Sequence, residues 1–240
     1  MPTLDGGNAS GLPFPATGLT VVQTILLLAG QQLQDLAAQT WPPSSLIPYL
    51  NLGVNEIVTL KPEAYPVTLV MPLVAGATQT LNDDAIELLD MVCNMGTDGA
   101  TPGRAITVIE RQSIDFLFPD WQTAVPGSVV QFYMKDNRNP KFFYTFPPMA
   151  PAAQMPQVKL IQSEIPPAIN TPLDDYPLDA SYVPAIIDYI IFRALAESTT
   201  IPNAMEKAKI FMAKFYQDIG IKTKAEKEVN AKEAGTKEGG

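Results

Sequence analysis

Histidine is absent from this 240-residue chain, cysteine occurs once, and no apolar run is long enough to cross a bilayer. Without histidine the commonest general base, the usual metal ligand and the Ser-His and Cys-His nucleophile pairs are all missing. The lone Cys93 excludes an internal disulfide, cannot build a zinc site and suits a reducing cytoplasm; as a small apolar side chain it is expected to be buried. The apolar run of residues 19–30 is interrupted by Thr20, Gln23 and Thr24, and it falls short of the roughly 20 residues that a spanning helix needs. No basic segment precedes it, so neither a signal peptide nor membrane insertion is expected.

Positive charge is also scarce, with 16 Lys and Arg against 25 Asp and Glu and a net charge of −9. Residues 221–240 hold five Lys and four Glu, which leaves eleven basic and twenty-one acidic residues, a balance of −10, in the rest of the chain. Such a surface repels a phosphate backbone and argues against tight nucleic-acid binding, though not against a channel through which DNA slides.

The carboxylates offer no obvious chemistry. Asp83-Asp84 and Asp174-Asp175 are the adjacent acid pairs, but neighbouring residues diverge on regular structure, and turn and cap preferences account for them. A two-carboxylate hydrolase is compatible with the composition, yet nothing selects a pair. Gly96-Thr-Asp-Gly-Ala-Thr-Pro-Gly103 lacks the Gly-Lys-Ser/Thr ending of a phosphate loop and reads as an ordinary loop. Phe116, Phe118 and Trp121 have no basic residues between them, so they are expected to form a satellite core rather than a base-stacking platform. No catalytic, metal-binding or cofactor-binding residue is assigned.

What the chain does have is proline, 23 residues of it, and 46% hydrophobic content, the profile of one or two globular domains with many loops. The strongest periodic signal lies between Asp179 and Gly220. Apolar residues at 183, 186, 187, 190, 191, 194 and 195 share one helical face, with Asp179 or Ser181 as cap and Pro184 in the first turn. A second helix follows, with Asn203 and Glu206 spaced as a capping box, a stripe of Met205, Ala208, Phe211, Met212, Phe215 and Ile219, and Gly220 as its stop. Near the N-terminus, Thr17 or Thr20 caps a helix with Val22, Ile25, Leu26, Ala29, Leu33, Leu36 and Ala37 on one face, ended by Trp41-Pro42-Pro43. Ser44 or Ser45 caps the next, striped by Ile47, Leu50, Val54, Ile57 and Val58 and closed by Lys61-Pro62.

From about residue 65 to 165 the period changes to two. Strands are expected at Val67–Met71, Arg104–Glu110 and Gln157–Ser163, with a hairpin of Ser128–Met134 and Lys141–Phe146 around the loop Asp136–Pro140 and ended by Pro147-Pro148. The expected fold is α+β: a helical bundle built from N- and C-terminal helix pairs, with an inserted antiparallel β domain. The expected divisions are a flexible arm (1–17), the N-terminal helices (18–64), the β domain (65–170), the C-terminal helices (171–220) and a charged, flexible tail (221–240).

The order of motifs is recognisable. Trp41, Leu46-Ile-Pro-Tyr-Leu-Asn-Leu-Gly-Val-Asn-Glu-Ile-Val58, Pro62, Leu88-Leu-Asp-Met-Val-Cys-Asn-Met95, Gly103-Arg-Ala-Ile106, Pro119-Asp-Trp121, Phe143-Tyr-Thr-Phe-Pro147 and Asp188-Tyr-Ile-Ile-Phe-Arg-Ala194 follow one another. The chain resembles, over most of residues 18–220, the head-to-tail adaptor (connector) proteins of tailed bacteriophages, of the tail tubular protein A kind. That resemblance implies a non-enzymatic virion protein at the head-tail junction, made in the host cytoplasm. It also implies a homo-oligomeric ring of twelve copies that bridges the portal protein and a tail or nozzle protein. DNA would pass through the lumen without sequence-specific binding, and no cofactor or membrane would be involved. Two stretches are candidate partner interfaces: the hairpin tip, Lys135, Asp136, Asn137 and Arg138, and the tail, through Ile221, Lys222, Lys224, Glu226 and Val229. The alternatives are a carboxylate-dependent hydrolase of the phage tail, which would depend on one specific acid, and a β-sandwich surface-binding module, whose affinity would reside in residues 65–165 alone.

Overall fold

The computed structural model describes residues 18–151 and 156–220. Among them the elements in chain order are α1 (Val21–Gln32), α2 (Pro43–Leu60), β1 (Pro66–Pro72), β2 (Gly76–Thr80), β3 (Ala85–Met95), β4 (Pro102–Ala105), β5 (Thr107–Val108), α3 (Arg111–Leu117), β6 (Phe132–Lys135), β7 (Phe142–Met149), β8 (Gln157–Glu164), α4 (Val183–Glu197) and α5 (Ala204–Asp218). They divide into two compact units: residues 18–51, 169–176 and 181–220 form one, and residues 52–168 with 177–180 form the other.

The first unit is helical. Thr20 caps α1 through a complete capping box: its hydroxyl accepts from the Gln23 amide (3.1 Å), and the Gln23 side chain accepts from the Thr20 amide (2.8 Å). The Thr20 hydroxyl also donates to the Pro172 carbonyl (2.6 Å), tying the helix start to a distant segment. Val22, Ile25, Leu26 and Ala29 are buried as the spacing requires. The expected continuation through Leu36 does not form. The helix stops at Gln32, well before Trp41, and Gln34 and Ala38 adopt positive φ. The cause is Asp35, whose carboxylate accepts from the amides of Gln39, Thr40 and Trp41 (3.0, 2.8 and 2.6 Å) and so replaces helical bonds with a turn.

In α2 the first helical residue is Pro43, with Ser45 and Leu46 donating to the Pro42 carbonyl, so the serines lie inside the first turn rather than capping it. The side-chain amide of Asn51 pairs with both backbone groups of Ile169 (2.7 and 2.9 Å), and the Tyr49 hydroxyl donates to Glu197 (2.6 Å) at the end of α4. Burial and that carboxylate push the Tyr49 phenol up to about 12.

Helix α4 is the centre of this unit. It packs against both α1 and α5 and buries eight residues, from Val183 to Leu195, more than a single stripe holds. Helix α5 buries a narrower face of Ala204, Ala208 and Phe215, followed by Ile219, and leaves Met205, Ile210 and Met212 exposed. The ring of Phe215 meets Tyr189 edge-on at 5.0 Å. The expected capping box at Asn203 is absent: the residue sits in the left-handed region (φ 55°) and its side chain makes no cap bond, because a cap of that kind needs extended backbone. Gly220 ends the helix as expected, at φ 71° with its amide on the Gln217 carbonyl.

The second unit is a sandwich of two four-stranded sheets, ordered β1-β8-β3-β4 and β2-β7-β6-β5. Met71, Leu88, Met91, Val158 and Leu160 of the first sheet share a core with Tyr133 and Phe143 of the second. Because successive side chains alternate, Met134, Tyr144 and Phe146 lie on the opposite face of the second sheet, where α3 and the following turn cover them with Ile114 and Trp121.

The expected fold needs correction on two points. A bundle of N- and C-terminal helix pairs does not form: α2 is divided between the units after Asn51, so its apolar residues Val54, Ile57 and Val58 belong to the strand-rich unit. An apolar stripe states that a face is buried, not which core receives it. The inserted sheets are not wholly antiparallel either. Residues 104–110 are not one strand: the Ile106 amide bonds Val92 in the first sheet and the Thr107 amide bonds Gln131 in the second, so the chain changes sheets there. The following crossover then brings β6 alongside β5 in the same direction, a parallel pair. Strand β7 also runs past the expected stop at Pro147-Pro148, through a cis Phe146–Pro147 bond, to Met149.

The core of the helical unit yields two expectations. Phe215→Ala should cost about 3–5 kcal/mol in denaturant unfolding, as for a fully buried phenylalanine. Phe211→Ala should cost distinctly less, because that ring is half-buried beneath the Lys214 ammonium (4.9 Å). Partial burial pushes Asp188 up to about 6 against the opposing pull of Lys214, with a smaller push from Asp218. Its native pKa lies above the unfolded one, so its contribution is fully present below about pH 4 and is lost as pH rises through 6. Asp188→Asn should therefore raise the melting temperature at pH 7.5 and leave it unchanged near pH 4.

Candidate partner interface

The tip residues Lys135, Asp136, Asn137 and Arg138 lie at the turn between β6 and β7, where Phe132 pairs with Phe146 and Lys135 with Phe143. Asp136 organises it. One carboxylate oxygen accepts from the amides of Arg138 (2.8 Å) and Asn139 (3.1 Å), and the other accepts from the Tyr144 hydroxyl (2.7 Å). The Tyr144 bond, followed by the two amides, holds the Asp136 carboxyl below the usual carboxylate range, and the same bond raises the Tyr144 phenol.

Behind the tip the Arg111 guanidinium lies over the Tyr144 ring (5.1 Å), and its Nε lies 3.6 Å from Asp115. Asp115 in turn accepts from Trp121 Nε1 (2.7 Å). Lys135 sits at the edge of salt-bridge range from Glu87 (3.9 Å), and Lys141 donates to the Asp83 carbonyl (2.8 Å). The turn is thus fixed by its own side chains, with Asn137 and Arg138 exposed at the end. Beside it a cleft of about 200 Å³ is lined by Val108, Glu110, Arg111, Gln112, Lys135 and Asn137. Charges of both signs around a rigid tip can recognise a polar protein surface; nothing there converges on a reacting atom.

The remaining residues singled out from sequence divide clearly. Ile221, Lys222, Lys224, Glu226 and Val229 lie outside the described residues. Residues 96–101 form the turn between β3 and β4, with Pro102 and Gly103 already in β4; the turn is closed by Asp98, whose carboxyl the Thr101 hydroxyl (2.6 Å) and amide pull down to about 2. Asp174 caps its own loop by accepting from Asn170 and Thr171. Trp121 is buried in the satellite core, whereas Phe116 is 85% exposed. Cys93 is buried. Among the described residues no three metal-ligating side chains cluster, and no helix is long and apolar enough to cross a membrane.

Sequence reasoning missed Glu87, Arg111 and Tyr144 as partners of the tip. The spacing of Arg111 and Asp115 on one helix was a usable signal; the approach of Arg111 to Tyr144 depends on the sheet crossover and was not.

Asp136→Ala should accelerate hydrogen exchange of the Arg138 and Asn139 amides on the order of tenfold, while β7 amides keep their protection. Unchanged exchange would mean that the turn is held by its backbone alone.

The model of the family described as SU10 adaptor protein matches residues 19–235. None of the curated proteins matches the chain. The match takes in both units and most of the sequence, and the chain therefore belongs to the SU10 adaptor protein family.

Proposed function

We propose that this adaptor protein is a structural subunit of a tailed-phage virion, placed at the head-tail junction between the portal protein and a tail or nozzle protein. The observation that carries the reading is the family match over residues 19–235. In this reading the subunit assembles as a ring, of twelve copies by resemblance to connector proteins, and DNA passes through the lumen. The net charge of −9 suits that role, since an acidic wall does not hold a phosphate backbone. The work of the protein is mechanical: it joins two larger assemblies through complementary surfaces and carries no chemistry.

Two contacts complete the proposal. The rigid tip of Lys135, Asp136, Asn137 and Arg138 meets the next tail component, because its polar groups are pre-ordered and so lose little freedom on docking. The tail segment with Ile221, Lys222, Lys224, Glu226 and Val229 meets the portal or a neighbouring subunit, its sparse apolar residues acting as anchors among helix-forming ones.

Native mass spectrometry of the chain with and without a candidate portal tests the reading. A multimeric ring on the portal is expected; a chain that neither assembles nor binds portal would sink it. Replacing residues 136–139 with Gly and Ser should block tail attachment and leave portal binding intact, and normal attachment would reduce the tip to a solvated turn.

A further inference from the structure

Helix α1 lies along a groove of about 330 Å³. Gln23, Leu27 and Gly30 line it at the spacing of one helical face, and Leu36 and Trp41 of the loop after the helix wall its far side. Its near end is marked by Pro172, whose carbonyl accepts from the Thr20 hydroxyl at the helix cap (2.6 Å). The far wall is preformed, since the Asp35 carboxylate accepts from three successive amides of that loop, those of Gln39, Thr40 and Trp41. Leu27 is 44% and Leu36 73% exposed, an apolar surface that the described residues leave uncovered.

The chain enters α1 at that near end, and it enters through a turn. Gly18, two residues before the Thr20 cap, has φ 59°. A Cβ there would meet no atom within 4 Å, so the glycine serves the left-handed bend rather than a close approach. Just upstream, outside the described residues, the sequence reads Leu12-Pro13-Phe14-Pro15, and Asp5 is the one charged side chain among residues 1–17. Each proline favours extended backbone at its own position and at the residue before it, at about 3.1 Å per residue. The four residues from Gly18 back to Phe14 then span about 12 Å. From the Thr20 cap to Leu27 the helix rises about 10 Å. Phe14 therefore reaches the level of Leu27 and Trp41, and Leu12 reaches Leu36 at the far rim.

We propose that the groove is the docking site of this chain's own Leu12-Pro13-Phe14-Pro15 segment, which folds back along α1 and seats the Phe14 ring between Leu27 and Trp41. Size, tether and chemistry all select this occupant. A cavity of about 150 Å³ already admits a benzene ring, so the groove takes one ring and little more. A contact that small does not offset the freedom two separate molecules lose on association. A segment tethered a few residues away escapes that loss, because its effective concentration at the groove is on the order of millimolar. Extended, proline-flanked segments are also what grooves walled by aromatic residues receive. The segment carries no charge, so the net charge of −9 does not oppose its docking. The contact is internal to one chain and depends on neither portal nor ring. Its consequence is that the exposed flank of α1 is closed to other apolar segments in the free protein.

The test uses the full chain. Of its two tryptophans Trp121 is buried, so acrylamide quenching of fluorescence reports Trp41. Phe14→Ser should raise that quenching on the order of threefold with helical circular dichroism unchanged, and Phe14→Leu should keep most of the protection. In a Leu12→Cys/Leu36→Cys double variant, oxidation should close a disulfide within one chain at a rate independent of protein concentration, the native Cys93 being buried. Adding Phe14→Ser should slow that closure about tenfold, because the ring no longer holds the segment in place. Equal quenching of Trp41 in the wild type and Phe14→Ser, or a disulfide that closes as fast without the ring, would overturn the docking and leave a tether that meets the groove only by collision. A disulfide that links two chains would also overturn it, by giving the groove to another copy's segment. Each of these outcomes leaves the adaptor reading as it stands.

Discussion

The pairing of β1 with β8 is the constraint on which both units depend. These strands are separated by most of the second unit in sequence, yet they run antiparallel along their whole length, from Pro66 opposite Ser163 to Pro72 opposite Gln157. The first and last strands of the sheets therefore lie side by side, so the chain enters and leaves the sheets at adjacent positions. Strand β8 also pairs along β3, through several register shifts, so it is an interior strand whose backbone groups are satisfied on both edges. Sheet closure must wait for the last strand to arrive, and long-range pairing of that kind costs loop entropy before it returns any contact.

Buried polar side chains determine how the two sheets are held together. Asn94 on β3 donates to the carbonyls of Arg104 (3.0 Å) and Val130 (2.8 Å) and accepts from the Val130 amide (2.7 Å). One side chain thus supplies the hydrogen bonds that irregular backbone between the sheets would otherwise lack, and in a buried site an unpaired group is costly. Gln79 does the same for the turn before β2, bonding both backbone groups of Val74 and the Gly76 carbonyl. Apolar alternation sets which face of a strand is buried; these amides set where the chain may bend.

The surfaces available to partners follow from that frame. The outer face of the second sheet is only partly covered, and its cover, α3 with the Trp121 turn, is locked by Asp115. Locking the cover fixes the hairpin tip on one side, through Arg111 and Tyr144, and the exposed Phe116 on the other. An adaptor must present such surfaces without reorganising, since ordering them at the moment of assembly would subtract from the affinity they supply.

Local rules were sufficient for the parts of this molecule whose stabilising groups lie close in sequence. Thr20 as one of two candidate caps, the first part of the α1 face, the face of α4, the Gly220 stop, the strands β1 and β8 and the Asp136 turn were legible, because spacing and turn chemistry act over a few residues. Even there, strong local competitors misled: Asp35 ended α1 against its periodicity, and a left-handed Asn203 lost its capping role. The sequence by itself determined most of the buried positions of α4 and the strands, where most regular elements run and that histidine-based chemistry is missing, but it placed Leu36, Phe116, Met205 and Met212 on buried faces where the structure exposes them. Which core each buried face joins was decided only by tertiary structure. The stripe of α2 is shared between two units, the apolar run at 104–110 changes sheets, and Phe116 is exposed while Trp121 five residues on is buried. Hydrophobic burial is non-directional, so a pattern can demand a partner without naming it; the partner is named by chain crossings and distant hydrogen bonds that no local spacing encodes.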